Sequence, residues 1–165
     1  MTHMYSTAAF TNMSRPDFGP DVISHPAFSR TIIVSPPSRA WREAVVARLN
    51  ELCALPIGWD GYKAPPMSFT NANFALQMLL SACPSYAEEP QIVPGPNGDL
   101  QIEWHTLSAD IELDVRGPYD VYAWRVTQSD PENEEELHLT TDFTEVARWL
   151  TELSETAVAA RSSAA

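Results

Sequence analysis

Two stretches of strict alternation, Leu100 to His105 and Ala109 to Arg116, constrain this chain more than any other feature. In the first, Leu100, Ile102 and Trp104 alternate with Gln101, Glu103 and His105. In the second, Ile111, Leu113 and Val115 alternate with Asp110, Glu112 and Asp114. A period of two sends successive side chains to opposite faces, so each stretch is a strand with one buried and one wet face. Antiparallel sheets keep a solvated face of this kind, whereas parallel ones are covered on both sides.

The connections suggest a register. If His105 pairs with Asp110, then Trp104 lies opposite Ile111, Ile102 opposite Leu113 and Glu103 opposite Glu112. If Arg116 pairs with Tyr119 across Gly117-Pro118, then Leu113 faces Tyr122, Ile111 faces Trp124 and Asp110 faces Arg125. The apolar sets then agree across three strands, which favours this register over a slip by one residue. Gln91 to Pro94 reads as a short strand held to an edge by its proline, and Asn97-Gly98 as the tight turn after it. Ser129 to Glu136 reads as an acidic loop, and Leu137 to Thr140 as a last strand.

Three amphipathic helices are expected. The first starts in Ser35-Pro36-Pro37-Ser38, where Ser suits a cap and Pro a first turn. It buries Trp41, Val45, Leu49 and Leu52, leaving Arg39, Arg42 and Arg48 as a solvated face. The second is capped by Ser68, carries a stripe of Phe69, Ala72, Leu76, Leu79 and Cys83, and ends at Pro84. The third opens at Thr141-Asp142, with Glu145 at capping-box spacing from Asp142, and buries Phe143, Val146, Ala147, Leu150 and Leu153. The expected fold is α+β: an antiparallel β-meander of about four to five strands with helices packed on one face. Residues 1–34 read as an irregular N-terminal arm with Thr31 to Val34 as a short edge strand. Residues 35–157 read as a single α+β domain and 158–165 as a disordered tail.

Between the first two helices lies Leu55 to Pro66, with Gly58, Gly61, Pro56, Pro65 and Pro66 breaking both helical patterns. Gly58 and Gly61 permit positive φ, and Asp60 can accept backbone N–H groups two residues on. Trp59 and Tyr62 serve either as pins into the core or as an exposed recognition loop. The run Gly-Trp-Asp-Gly-Tyr-Lys-Ala-Pro-Pro, with Pro94 and Gly98-Asp99-Leu100-Gln101-Ile102-Glu103-Trp104 downstream, resembles a family of small bacterial and phage-borne proteins. The likeness covers roughly residues 40 to 127. It implies a compact accessory protein and supplies no catalytic residues.

Charge narrows the kind of partner. The chain has a net charge of −12, which opposes direct binding to nucleic acid or an anionic membrane, since both require Lys and Arg. Most of that charge is concentrated. Asp99, Glu103, Asp110, Glu112, Asp114, Asp120, Asp130, Glu132, Glu134, Glu135 and Glu136 are opposed only by Arg116 and Arg125 between residues 99 and 136. Like charges directly opposite on a sheet are destabilising, so Glu103 against Glu112 suggests a face reserved for a basic partner.

The expected function is a non-enzymatic protein-binding module of the inhibitor, antitoxin, immunity or phage anti-defence (anti-CRISPR-like) kind. It docks a basic protein surface through Glu103, Asp110, Glu112, Asp114, Glu134, Glu135 and Glu136, with Trp59 and Tyr62. Its most specific form is a nucleic-acid mimic that occupies the groove of a nucleic-acid-binding protein. The alternatives are a small metal-dependent hydrolase using Glu103, His105 and Asp110, and a structural subunit that self-associates. A flat strand face argues against the hydrolase, because active sites are concave and exclude water. There is no His-Glu-x-x-His, Cys-x-x-Cys, Gly-x-Ser-x-Gly or phosphate-binding lysine motif, and no catalytic residue, metal or cofactor is expected. Cys53 and Cys83 read as buried apolar residues in a reducing compartment. Met1 to Phe10 lacks the charged start and apolar centre of a secretion signal, and no apolar run approaches membrane-spanning length. A cytoplasmic location is the resulting expectation.

Overall fold

The computed structural model describes residues 21–25, 30–34 and 39–163. Five strands, β3 (Gln91–Pro94), β4 (Leu100–His105), β5 (Ala109–Gly117), β6 (Asp120–Thr127) and β7 (Asp130–Leu139), form one antiparallel sheet in sequence order. Helices α1 (Arg42–Cys53), α2 (Phe69–Ala82) and α3 (Thr144–Ser163) complete the α+β arrangement. Ahead of them, β1 (Asp21–His25) and β2 (Arg30–Val34) pair as a separate antiparallel hairpin. The expected edge strand at Thr31 to Val34 is therefore paired, but within the N-terminal segment. The helix start expected at Ser35 lies outside the described residues, and α1 begins at Arg42 with Trp41 as its N-cap.

One sheet face is apolar and covered by the helices. Leu100, Ile102 and Trp104 of β4 and Ile111, Leu113 and Val115 of β5 are buried with Val45, Leu49, Leu76, Leu79, Val146 and Leu150. Trp149 joins this core from α3, a residue the apolar stripe read from the sequence omits. The β4–β5 register is the expected one: Trp104 pairs with Ile111, Ile102 with Leu113, Glu103 with Glu112 and His105 with Asp110.

The next hairpin differs from expectation by one residue. Gly117 pairs with Asp120 around Pro118-Tyr119, and Arg116 is bulged out between Val115 and Gly117. Beyond the bulge Leu113 faces Ala123, Ile111 faces Arg125 and Glu112 faces Trp124. A shift of one residue turns a whole strand over. Val121, Ala123 and Arg125 therefore point to the core, while Tyr122 and Trp124 share the wet face with the carboxylates. Tyr119 takes φ 65° in this turn, a left-handed conformation that costs a non-glycine residue about 1–2 kcal/mol. Its ring meets Phe74 edge-on at 5.4 Å, which anchors the turn to α2.

Two further expectations are corrected. The acidic stretch 130–136 is part of β7, which runs Asp130–Leu139 with a register shift near its start, where Val126 pairs with Glu134 and Thr127 with Asp130. Pro131 is tolerated because β7 is an edge strand. Arg39, Arg42 and Arg48 form a solvated face only in part: Arg48 is exposed and pairs with Glu51 at 3.2 Å. Arg42 is only 4% exposed. Arg39 Nη1 donates to the Cys83 carbonyl at 2.8 Å, and Arg48 Nε to the Ile92 carbonyl at 3.0 Å. Arg39 thus satisfies a carbonyl at the end of α2 that the helix itself leaves without a donor, and Arg48 ties α1 to β3.

Helix ends also depart in detail. Ser68 occupies the N-cap position of α2 with extended φ/ψ but makes no side-chain cap bond; its backbone N–H instead donates to the Gly98 carbonyl at 2.9 Å. Asp142 accepts the Thr144 N–H and hydroxyl, while Glu145 pairs with Arg148. The α3 helix continues through Ser163, into the stretch expected to be a tail.

The connector closes on itself. Gly58 and Gly61 have φ of 80° and 84°, and Asp60 Oδ1 accepts the N–H groups of Tyr62 and Ala64 at 2.9 and 3.1 Å. The Gly58 N–H donates to the Ala64 carbonyl at 2.8 Å. Trp59 is half-buried and donates its indole N–H to Pro65 within the same loop, so the loop is pinned by its own bonds. Tyr62 is exposed.

Candidate functional site

The wet face of the sheet is a grid whose rows run across the strands. One row reads Val93, Gln101, Asp114, Tyr122, His138; the next reads Gln91, Glu103, Glu112, Trp124, Glu136; a third reads His105, Asp110, Val126, Glu134. Register alone puts Glu103, Asp110, Glu112, Asp114, Glu134 and Glu136 on one surface. This face has no helix over it among the described residues, because all three helices pack on the other side.

The carboxylates are not equally occupied. His105 stands between two of them, with Nδ1 3.1 Å from Asp110 and Nε2 3.2 Å from Glu103. Those hydrogen bonds, first to Glu103 and then to Asp110, raise its pKa above 6.5. Both ring nitrogens are engaged and the ring is exposed, so this triad is a hydrogen-bonded corner of the sheet and no metal-ready cluster. Among the described residues no group of three or more His, Cys, Asp or Glu is placed to hold a metal ion. Asp114 accepts Arg116 Nε–H at 2.7 Å, and the Arg116 guanidinium lies 3.9 Å from the Tyr122 ring centroid. Tyr122 also stacks on His138 at 4.4 Å, and His138 Nε2 is 2.9 Å from Asp120. Glu112 accepts from the neutral amide of Gln101 at 2.6 Å.

Glu135 belongs elsewhere. It faces the helix side with Arg125, which lies 3.7 Å from it and 2.8 Å from Glu152. Arg148 extends the network to Glu135, Glu145 and Glu152. Burial raises the Glu152 carboxyl, but the two arginines outweigh it and hold the group below the ordinary carboxylate range. Arg125 is 9% exposed and lies 5.7 Å from the Trp149 ring. Glu135 is thus occupied by internal cations and is not part of the wet face. Trp59 and Tyr62 sit on the connector, rooted between the end of α1 and the β3–β4 turn. Among the described residues no hydrogen bond or ring contact joins them to the carboxylates.

Sequence reasoning put Tyr122 and Trp124 on the apolar side and so missed them here, while Gln101 and Arg116 were read on polar positions but not as site residues. Glu112, Asp114, Arg116, Tyr122, Trp124, Glu136 and His138 line an open groove of about 430 Å³. No family model, curated protein or solved structure matches this chain. No helix among the described residues is long and apolar enough to cross a membrane.

Proposed function

We propose that this protein is a non-enzymatic binding module that docks a basic surface of another protein on the wet face of its sheet. The observation that carries the reading is Glu103 directly opposite Glu112, with Glu136 two strands further along the same row and no arginine or lysine in that row. Like charges in register cost a few tenths of a kcal/mol or more each, and a basic partner would remove that cost on binding. Trp124, partly buried but lining the groove, adds the apolar aromatic content that separates a protein interface from a merely solvated face. An inhibitor, antitoxin, immunity or anti-defence protein uses such a face. The most specific version targets a nucleic-acid-binding protein, whose groove is basic because it neutralises phosphate.

The test compares affinity capture from the native host by the wild-type chain and by a Glu112→Lys, Asp114→Lys, Glu136→Lys variant, read by quantitative mass spectrometry. A basic protein held by the wild type and lost by an equally stable variant is the expected result. Equal retention by both refutes the assigned surface.

A further inference from the structure

The row Glu112, Trp124, Glu136 sets an aromatic ring beside a carboxylate, as does the row next to it, Asp114, Tyr122, His138. In the neighbouring row Arg116 places its guanidinium 3.9 Å from the Tyr122 centroid while its Nε–H bonds Asp114 at 2.7 Å. Asp114 and Tyr122 are cross-strand partners. The chain therefore already holds one guanidinium between an aromatic ring and the carboxylate beside it. One row along, Glu112 and Glu136 pair with Trp124 from either side. Indole is a stronger cation–π ring than phenol. Among the described residues Glu112 accepts only from Gln101, and no cation meets Glu136 or the Trp124 ring.

We propose that this row is a seat for one arginine side chain of the docking partner. The guanidinium stacks on Trp124 where it lines the groove and donates its edge N–H groups to Glu112 and Glu136. The proposal rests on the reading of this face as a surface for a basic protein and narrows it to a residue type. Arginine suits the row better than lysine for a geometric reason. A guanidinium is planar, with N–H donors in its own plane, so it stacks on a ring and still reaches carboxylates at the sides. An ammonium is a compact, strongly hydrated point charge that gives up more hydration to make the same contacts. Adjacent strands stand about 4.8 Å apart, so both carboxylates flank the indole within reach of a group bonded to it.

The experiment titrates capped Gly-Arg-Gly into the full chain at low salt, with capped Gly-Lys-Gly and Gly-citrulline-Gly as controls. It follows the Trp124 indole N–H, assigned through Trp124→Phe, and the arginine side-chain protons by NMR. The expected result is a saturable shift of that indole signal with ring-current upfield shifts of the arginine side chain. Lysine binds more weakly by about threefold or more, and citrulline gives no shift. A Glu112→Gln, Glu136→Gln variant weakens arginine binding by about tenfold, whereas Glu43→Gln on α1, off the wet face, leaves it unchanged. Unchanged amide dispersion verifies that each variant is folded. Equal arginine and lysine shifts, spread over the face and weakened as much by Glu103→Gln as by Trp124→Leu, overturn the seat while leaving a diffuse basic-docking face. No arginine-induced shift at Trp124 overturns it outright.

Discussion

Trp124 stands directly across from Glu112, not from Ile111, and the bulge at Arg116 is the reason. Without that one unpaired residue, the pairing set by Gly117 and Asp120 would carry Tyr122 and Trp124 to the core side and Arg125 to the wet side. The surface available to a partner, and the buried cation under α3, both follow from it.

The cost of removing each tryptophan checks this arrangement. Trp104 is 3% exposed with its indole N–H on the Glu88 carbonyl, so Trp104→Ala should cost about 3–5 kcal/mol. Trp124 is partly buried on the wet face, so Trp124→Ala should cost less, about 1–3 kcal/mol. Urea denaturation measures both; equal losses would mean that Trp124 is a core residue.

Stability should depend on pH through His105. Its folded-state pKa is raised above 6.5 by Glu103 and Asp110, so the protonated ring binds the folded state more tightly than the unfolded one. That contribution is fully present below the unfolded value of 6.5 and is lost as pH rises through the elevated folded value. The Tm difference between wild type and His105→Gln should therefore be larger at about pH 5.5 than at about pH 8.5. A difference independent of pH would dismiss the ionic character of this corner.

Both thiols should be inert while the protein is folded. Burial pushes Cys53 up to about 11 and Cys83 up to about 12, the latter against an opposing effect of Arg39. Thiolate is the reactive form, so iodoacetamide at about pH 8 should leave the native chain unmodified and alkylate both sites in denaturant. Mass spectrometry reads the outcome, and rapid native labelling of either cysteine would contradict its placement.

Asn71 ties α2 to two turns of the sheet. Its side-chain amide donates to the Gly98 carbonyl at 2.9 Å and lies 3.4 Å from the Arg116 carbonyl, at the bulge itself. Asn71→Asp keeps the shape but turns a donor into an acceptor facing carbonyl oxygens, and should cost about 2 kcal/mol or more. Chemical denaturation gives the value, and a neutral effect would show that the bulge holds without this bond.

The sequence by itself determined the two-faced character of β4 and β5, their mutual register, the apolar stripes of three helices and the concentration of acid in the meander. Each of these is local. In β4 and β5 one side of the alternation is apolar and the other polar, so a slip would bury carboxylates, and only one register survives. In Asp120 to Thr127 both alternating sets contain apolar residues, Val121 and Ala123 on one side and Tyr122, Trp124 and Val126 on the other. Period alone cannot choose between them.

Tertiary structure made that choice with groups far away in the chain. Asn71 on α2 engages the carbonyl at the bulge, the helices cover the small Ala123, and Glu135, Glu152 and Trp149 receive Arg125. The same holds for Arg39 and Arg48, whose carbonyl partners lie on α2 and β3, and for Glu135, drawn from the acidic run to the helix side. A buried cation needs several donors and acceptors converging from different elements, and which elements converge is a property of the packed chain, not of any one segment.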